Sequence, residues 1–154
     1  MTNNTFRVVA LPTSTAEEAR RKAASGASDH KTSVVASEYT APCRHCLTWA
    51  KAGERVILFP YQSIPSDRPY AESGPIFVHA DACPRYSLPN EFPRELRRGR
   101  SVRAYNQQHE IVAAELANDA PEEAAARLLQ NDAIEFLHVR SASHGCYTFK
   151  VERA

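Results

Sequence analysis

The sequence predicts an α+β domain, a mostly antiparallel sheet of about seven strands with two helices. Three observations carry this. Short runs rich in Val, Ile, Phe and Tyr recur between breaks of Pro, Gly, Asn and Ser. Two pairs of the later runs flank tight polar turns, as hairpins do. Helical patterns are confined to two alanine-rich segments and do not alternate with the strands, as a parallel βαβ sheet would require. The chain has 154 residues, 43% hydrophobic and 24% charged, so residues 1–154 are read as a single globular domain with core enough to fold without disulfides.

The elements follow in order. Phe6 to Leu11 reads as a first strand, closed by Pro12. A surface helix begins next, because Ser14 with Glu17 and Thr15 with Glu18 have capping-box spacing, and it should run to about Ala24 and stop near Gly26. After a linker at 28–31, Thr32 to Tyr39 forms a second strand that delivers the chain to Pro42-Cys43-Arg44-His45-Cys46. Leu47 to Ala52 has room for a short helical turn, and Arg55 to Tyr61 is an apolar strand. Gln62 to Ser73 carries two prolines and reads as a long loop, of the kind that often serves function.

Ile76 to His79 is the next strand, and residues 84–94, with three prolines, are irregular. Ser101 to Tyr105 and Glu110 to Leu116 form a hairpin about Asn106-Gln107-Gln108. Asp119 with Glu122 has capping-box spacing, and Pro121 suits the first turn of a helix reaching about Leu129. Ile134 to Arg140 and Tyr147 to Glu152 are two alternating strands around the turn Ser141 to Gly145.

Charge and composition exclude some functions. A net charge of +1 exerts no bulk attraction on nucleic acid or an anionic membrane. The basic run Arg94, Arg97, Arg98, Arg100 and Arg103 has acidic neighbours and little aromatic interleaving, so it is read as a solvated loop and nucleic acid is disfavoured as a partner. The longest apolar run, Val56 to Phe59, is far too short to span a membrane. The first residues lack the charged and apolar regions of a secretory signal, so a cytoplasmic protein is expected. There is no Gly-rich phosphate loop, nucleophile elbow or HExxH, hence no nucleotide-cofactor motif. A small molecule or a protein remains open as a partner.

In a reducing compartment Cys43, Cys46, Cys83 and Cys146 are better read as metal ligands, reactive thiols or buried side chains than as a disulfide framework. Two cysteines spaced C-x-x-C can place both thiolates on one tetrahedral ion, zinc first among the candidates. That supplies half a site. The remaining ligands would come from His79, Cys83, His144 or Cys146. His144 and Cys146, two apart, can share a strand face. His79 and Cys83 would lie roughly 13 Å apart on a continuous strand, so joint ligation requires a bend at Ala80 to Ala82. Arg44 and Arg140 are candidates for holding an anion or supporting the cluster through a planar guanidinium fork.

Two other chemistries stay open: thiol–disulfide exchange at Cys43/Cys46, with Arg44 or His45 favouring the thiolate, and a metal- or thiol-dependent enzyme acting on a small molecule. The enzyme needs an open cleft joining the cluster to the Gln62–Ser73 loop. Free cysteine is also among the most buried residue types, which is the plain alternative for Cys83 and Cys146.

The combination Pro42-Cys43-Arg44-x-Cys46-Leu47, Gly53-Glu54, Gly74 to His79 with Cys83, and Val139-Arg140 with Gly145-Cys146 resembles a family of small bacterial proteins catalogued as domain of unknown function 1203. The likeness spans essentially the whole chain. It implies a single-domain bacterial protein and supplies no activity, cofactor or catalytic residue.

Overall fold

The computed structural model describes residues 5–154. In chain order the described elements are β1 (Arg7–Val9), α1 (Thr13–Ala24), β2 (Lys31–Val34), β3 (Arg55–Ile64), β4 (Glu72–His79), β5 (Arg100–Tyr105), β6 (Ile111–Ala117), α2 (Pro121–Leu128), β7 (Phe136–Ser141) and β8 (Tyr147–Glu152), with one 3-10 turn at Arg94–Leu96. The α+β class holds, with eight strands rather than seven. They divide into two antiparallel sheets, one of five strands in the order β1-β8-β7-β5-β6 and one of three in the order β2-β3-β4. No described helix is long and apolar enough to cross a membrane.

Several elements differ from expectation for physical reasons. The predicted Gln62–Ser73 loop is shorter at both ends, because β3 and β4 pair out to Ile64↔Glu72 and leave residues 65–71 as the connection. Pro60 faces Pro75 beyond the last β2–β3 pair, Lys31↔Leu58, so their missing N–H donors fall at sheet edges. The second strand ends at Val34, five residues short of Tyr39, which lies in the left-handed region at φ 60°. None of the capping boxes forms. Both helix starts lack a side-chain cap, Thr13 bonds to His45, and the Glu122 carboxylate accepts the Phe92 N–H and pairs with Arg97. Here tertiary partners outcompeted the local ones.

Two apolar clusters make up most of the interior. The larger lies between the five-stranded sheet and α2, built from Val102, Leu137, Val139, Phe149 and Val151 with Ala125 and Leu128, and it includes Phe92 and Leu47. The second lies between the three-stranded sheet and α1, built from Ile57, Phe59, Ile76 and Val78 with Ala16 and Ala19, and it includes Cys43 and Tyr147. The cysteine turn thus contributes one buried side chain to each cluster. Burying a leucine such as Leu47 is worth about 2 kcal/mol, so the turn is anchored by packing as well as by hydrogen bonds.

Candidate metal centre

Residues 41–50 form a closed turn rather than the expected short helix. Cys43 donates its backbone N–H to the Thr48 carbonyl (2.9 Å), the Leu47 N–H donates to the Cys43 carbonyl (2.9 Å), and Pro42 bridges Trp49. Closing the turn puts Leu47 at φ 56°. A left-handed non-glycine residue costs about 1 kcal/mol, which the burial of its side chain in the large cluster offsets. The turn is tied outwards by Leu11 N–H to the Arg44 carbonyl, Arg44 N–H to the Phe77 carbonyl, and Tyr86 N–H to the His45 carbonyl. A parallel bridge between Cys43 and Phe77 lays it against β4.

His79 ends β4, and the chain then bends through Ala80 and Asp81, with the Ala80 N–H on the Arg55 carbonyl and Arg20 Nε donating to the His79 carbonyl (3.0 Å). The bend that joint ligation requires is present, and it returns Cys83 to the turn. The ligand atoms of Cys43, Cys46, His79 and Cys83 all lie within 4.8 Å of one another. Cys43 Sγ is 3.9 Å from Cys83 Sγ, and Cys46 Sγ is 3.4 Å from His79 Nδ1. Zinc–sulfur and zinc–nitrogen bonds at tetrahedral angles set edges of about 3.8 Å between two sulfurs and about 3.6 Å between sulfur and nitrogen. These two of the six edges are close to those of that polyhedron.

Each of the four groups also has an outer partner. His79 Nε2 is 3.4 Å from Glu54 Oε1, an arrangement in which a carboxylate orients the imidazole while Nδ1 faces the sulfurs. Cys46 Sγ contacts Thr48 Oγ1 (3.1 Å), and Cys43 Sγ accepts the His79 N–H (3.4 Å). Cys83 Sγ contacts Arg20 (3.6 Å) and His45 Nδ1 (3.2 Å). Burial and the nearby Arg20 lower the His45 pKa, so its ring is neutral at pH 7. A neutral ring donates from one nitrogen and accepts at the other, so Nδ1 and Nε2 take opposite roles towards Cys83 Sγ and Thr13 Oγ1 (2.8 Å). Glu54→Gln should weaken metal affinity about tenfold or more, the usual cost of removing such an outer partner, as measured by competition with a chromogenic chelator.

Without an ion the electrostatics are divided. Hydrogen bonds from Cys46 and Cys83 pull the Cys43 thiol far below its ordinary pKa. Cys43 and Cys46 in turn push the Cys83 thiol up. His79, bonded to Cys43 and Cys46, is pushed up to about 11. The cluster thus favours one thiolate with an imidazolium and opposes a second thiolate. A divalent cation removes that opposition and expels the His79 proton, so affinity should fall as pH falls.

The other predicted residues lie elsewhere. His144 is exposed, with Nδ1 on Ser143 Oγ (3.2 Å), and half-buried Cys146 follows it; both line a cavity with Arg140 and Glu72. Arg44 is buried and donates to the carbonyls of Tyr147 (2.8 Å) and Pro42 (2.7 Å), tying the turn to β8. Burial lowers its pKa to about 10, against the opposing pull of Cys146 and Cys43. Sequence reading missed Arg20, Thr13 and Thr48 entirely. Glu54 stood beside Gly53 in the motif, with nothing local to show that it would meet an imidazole 25 positions away.

A family model described as "Protein of unknown function (DUF1203)" matches residues 40–153. The chain belongs to that family. The match takes in all four clustered residues and Glu54, whereas Arg20 and Thr13 precede it. No curated protein and no solved structure matches this DUF1203 chain.

Proposed function

We propose that this DUF1203 protein is a metal-binding protein in which Cys43, Cys46, His79 and Cys83 hold one zinc or related transition-metal ion. The observation that supports the reading most is the convergence of three sulfurs and one imidazole nitrogen within 4.8 Å, with the Cys43–Cys83 and Cys46–His79 edges suited to a tetrahedron. Three soft thiolates favour zinc over magnesium or calcium, which prefer oxygen ligands. Four protein ligands fill a tetrahedral shell and leave no position for a reactive water, so the proposed role is structural. The ion joins the cysteine turn to the end of β4 and the bend after it, fastening together the segments that bound both apolar clusters.

The test is elemental analysis of protein purified without a histidine tag. One zinc per chain is expected, falling to near zero in Cys43→Ser. Full metal content in that variant would remove Cys43 from the ligand set. Protein that contains no metal and forms a disulfide reversibly would favour thiol redox. In that case Cys83, at 3.9 Å from Cys43, is the partner to examine alongside Cys46.

A further inference from the structure

A cavity of about 190 Å³ opens between the β3–β4 hairpin and the β7–β8 hairpin, lined by Ser63, Glu72, Arg140, Cys146, Tyr61 and Tyr147 among others. None of these residues belongs to the metal group. The cavity is smaller than the few hundred Å³ of a drug-sized pocket and comparable with about six waters.

Its polar wall is built around Arg140, which is 2% exposed. Arg140 Nη1 donates to the Gly145 carbonyl (2.9 Å), and Nη2 is ion-paired with Glu72. Nε is buried with no hydrogen-bond partner. The Nε/Nη2 edge of a guanidinium is one that grips a carboxylate through two parallel bonds, and Glu72 uses only half of it. Glu72 is divided between claimants, because it also accepts from Ser63 Oγ (2.9 Å) and pairs with Arg103 at 3.4 Å. Two guanidinium groups therefore share one carboxylate, which leaves a net positive charge beside the cavity. The lining also carries an aromatic and apolar part: the Tyr61 and Tyr147 rings lie 5.5 Å apart, and Pro75 and Ile76 line the same cavity.

We infer that this cavity binds a small organic carboxylate, its charged end on Arg140 and its short apolar end against Tyr61 and Tyr147. A buried guanidinium with an unused donor gains a charge-assisted bond, and the cavity's size limits the ligand to a few heavy atoms. Phosphate, with three or four polar oxygens, suits the polar wall but not the aromatic one.

Cys146 lines the same cavity and reports on its occupancy. Full-length protein is treated with iodoacetamide, and alkylation of Cys146 is followed by peptide mass. The probes are sodium propionate, its neutral isostere propionamide, and inorganic phosphate. Propionate should slow Cys146 alkylation several-fold and saturably, whereas propionamide should not. Arg140→Lys should abolish that protection. Because this variant removes a buried group and can misfold, Glu72→Gln is the second test: it frees the Arg140 edge and should give protection at lower propionate concentration. Equal effects of propionate and propionamide, no protection by propionate, stronger protection by phosphate, or unchanged protection in Glu72→Gln would each overturn the assignment. Reading Cys146 alone keeps the result separate from the fate of the metal centre.

Discussion

Stripping the proposed ion from the Cys43, Cys46, His79 and Cys83 group with a chelator at neutral pH should lower the melting temperature by about 10–20 °C. That is the shift expected in a domain of this size when about 5 kcal/mol is lost, the scale that removal of a structural metal reaches. The reason lies in the position of the turn. Leu47 is buried in one apolar cluster and Cys43 in the other, while Arg44 and His45 carry backbone bonds to Leu11, Phe77 and Tyr86. Losing the ion leaves three sulfurs and an imidazolium packed together, with one thiolate favoured and a second opposed. Differential scanning calorimetry of zinc-loaded and stripped protein measures the effect. Cys43→Ser should reproduce it, and Cys146→Ser, outside the group, should not. If the stripped protein melts at the same temperature as the loaded protein, the structural role is wrong.

Acidification should destabilise the protein through His138. This residue is 2% exposed, enclosed by the rings of Tyr105 (4.8 Å), Phe136 (5.2 Å) and Tyr147 (4.8 Å), and its Nδ1 has no hydrogen-bond partner. Burial pushes its pKa down to about 2, helped by the positive charges of Arg140, Lys150 and Arg103. The unfolded chain binds the proton near pH 6.5 and the folded chain does not. The contribution to stability is therefore intact above about pH 6.5 and declines as pH falls from there towards 2. At pH 5 the loss is about 2 kcal/mol from this residue, one and a half pH steps of proton binding to the unfolded state alone. Urea denaturation of metal-stripped protein at pH 7 and pH 5 should show it. His138→Leu should remove that part of the slope and leave the remainder; an equal slope in both proteins would mean that His138 is protonated in the folded state.

How far the site could be read from the sequence differs from residue to residue. C-x-x-C identified a turn able to present two thiols, because residue spacing is a local argument. His79 and Cys83 could be named as partners only with a condition attached, that the chain bend at Ala80 to Ala82, and the bend exists because Ala80 bonds to Arg55 and Arg20 holds the His79 carbonyl. His144 and Cys146 satisfied the same spacing logic yet line the cavity with Arg140 and Glu72. Strand periodicity places two side chains on one face without indicating what that face meets. The expected loop from Gln62 to Ser73 was drawn too long for a related reason: the polar residues at its two ends suit an exposed strand pair as well as a loop, and only the cross-strand partner distinguishes the two.

By itself the sequence determined the α+β class, the positions of both helices and most strands, and the donor types available to a metal, since these follow from periodicity and turn chemistry over a few residues. The tertiary structure decided which donors meet. Cys43 lies against β4 through its bridge to Phe77, and Val56 pairs with His79 across β3 and β4. Those registers bring together atoms 33 to 40 positions apart in the chain. Contacts at that separation depend on the packing of two sheets and two apolar clusters, which no local pattern encodes.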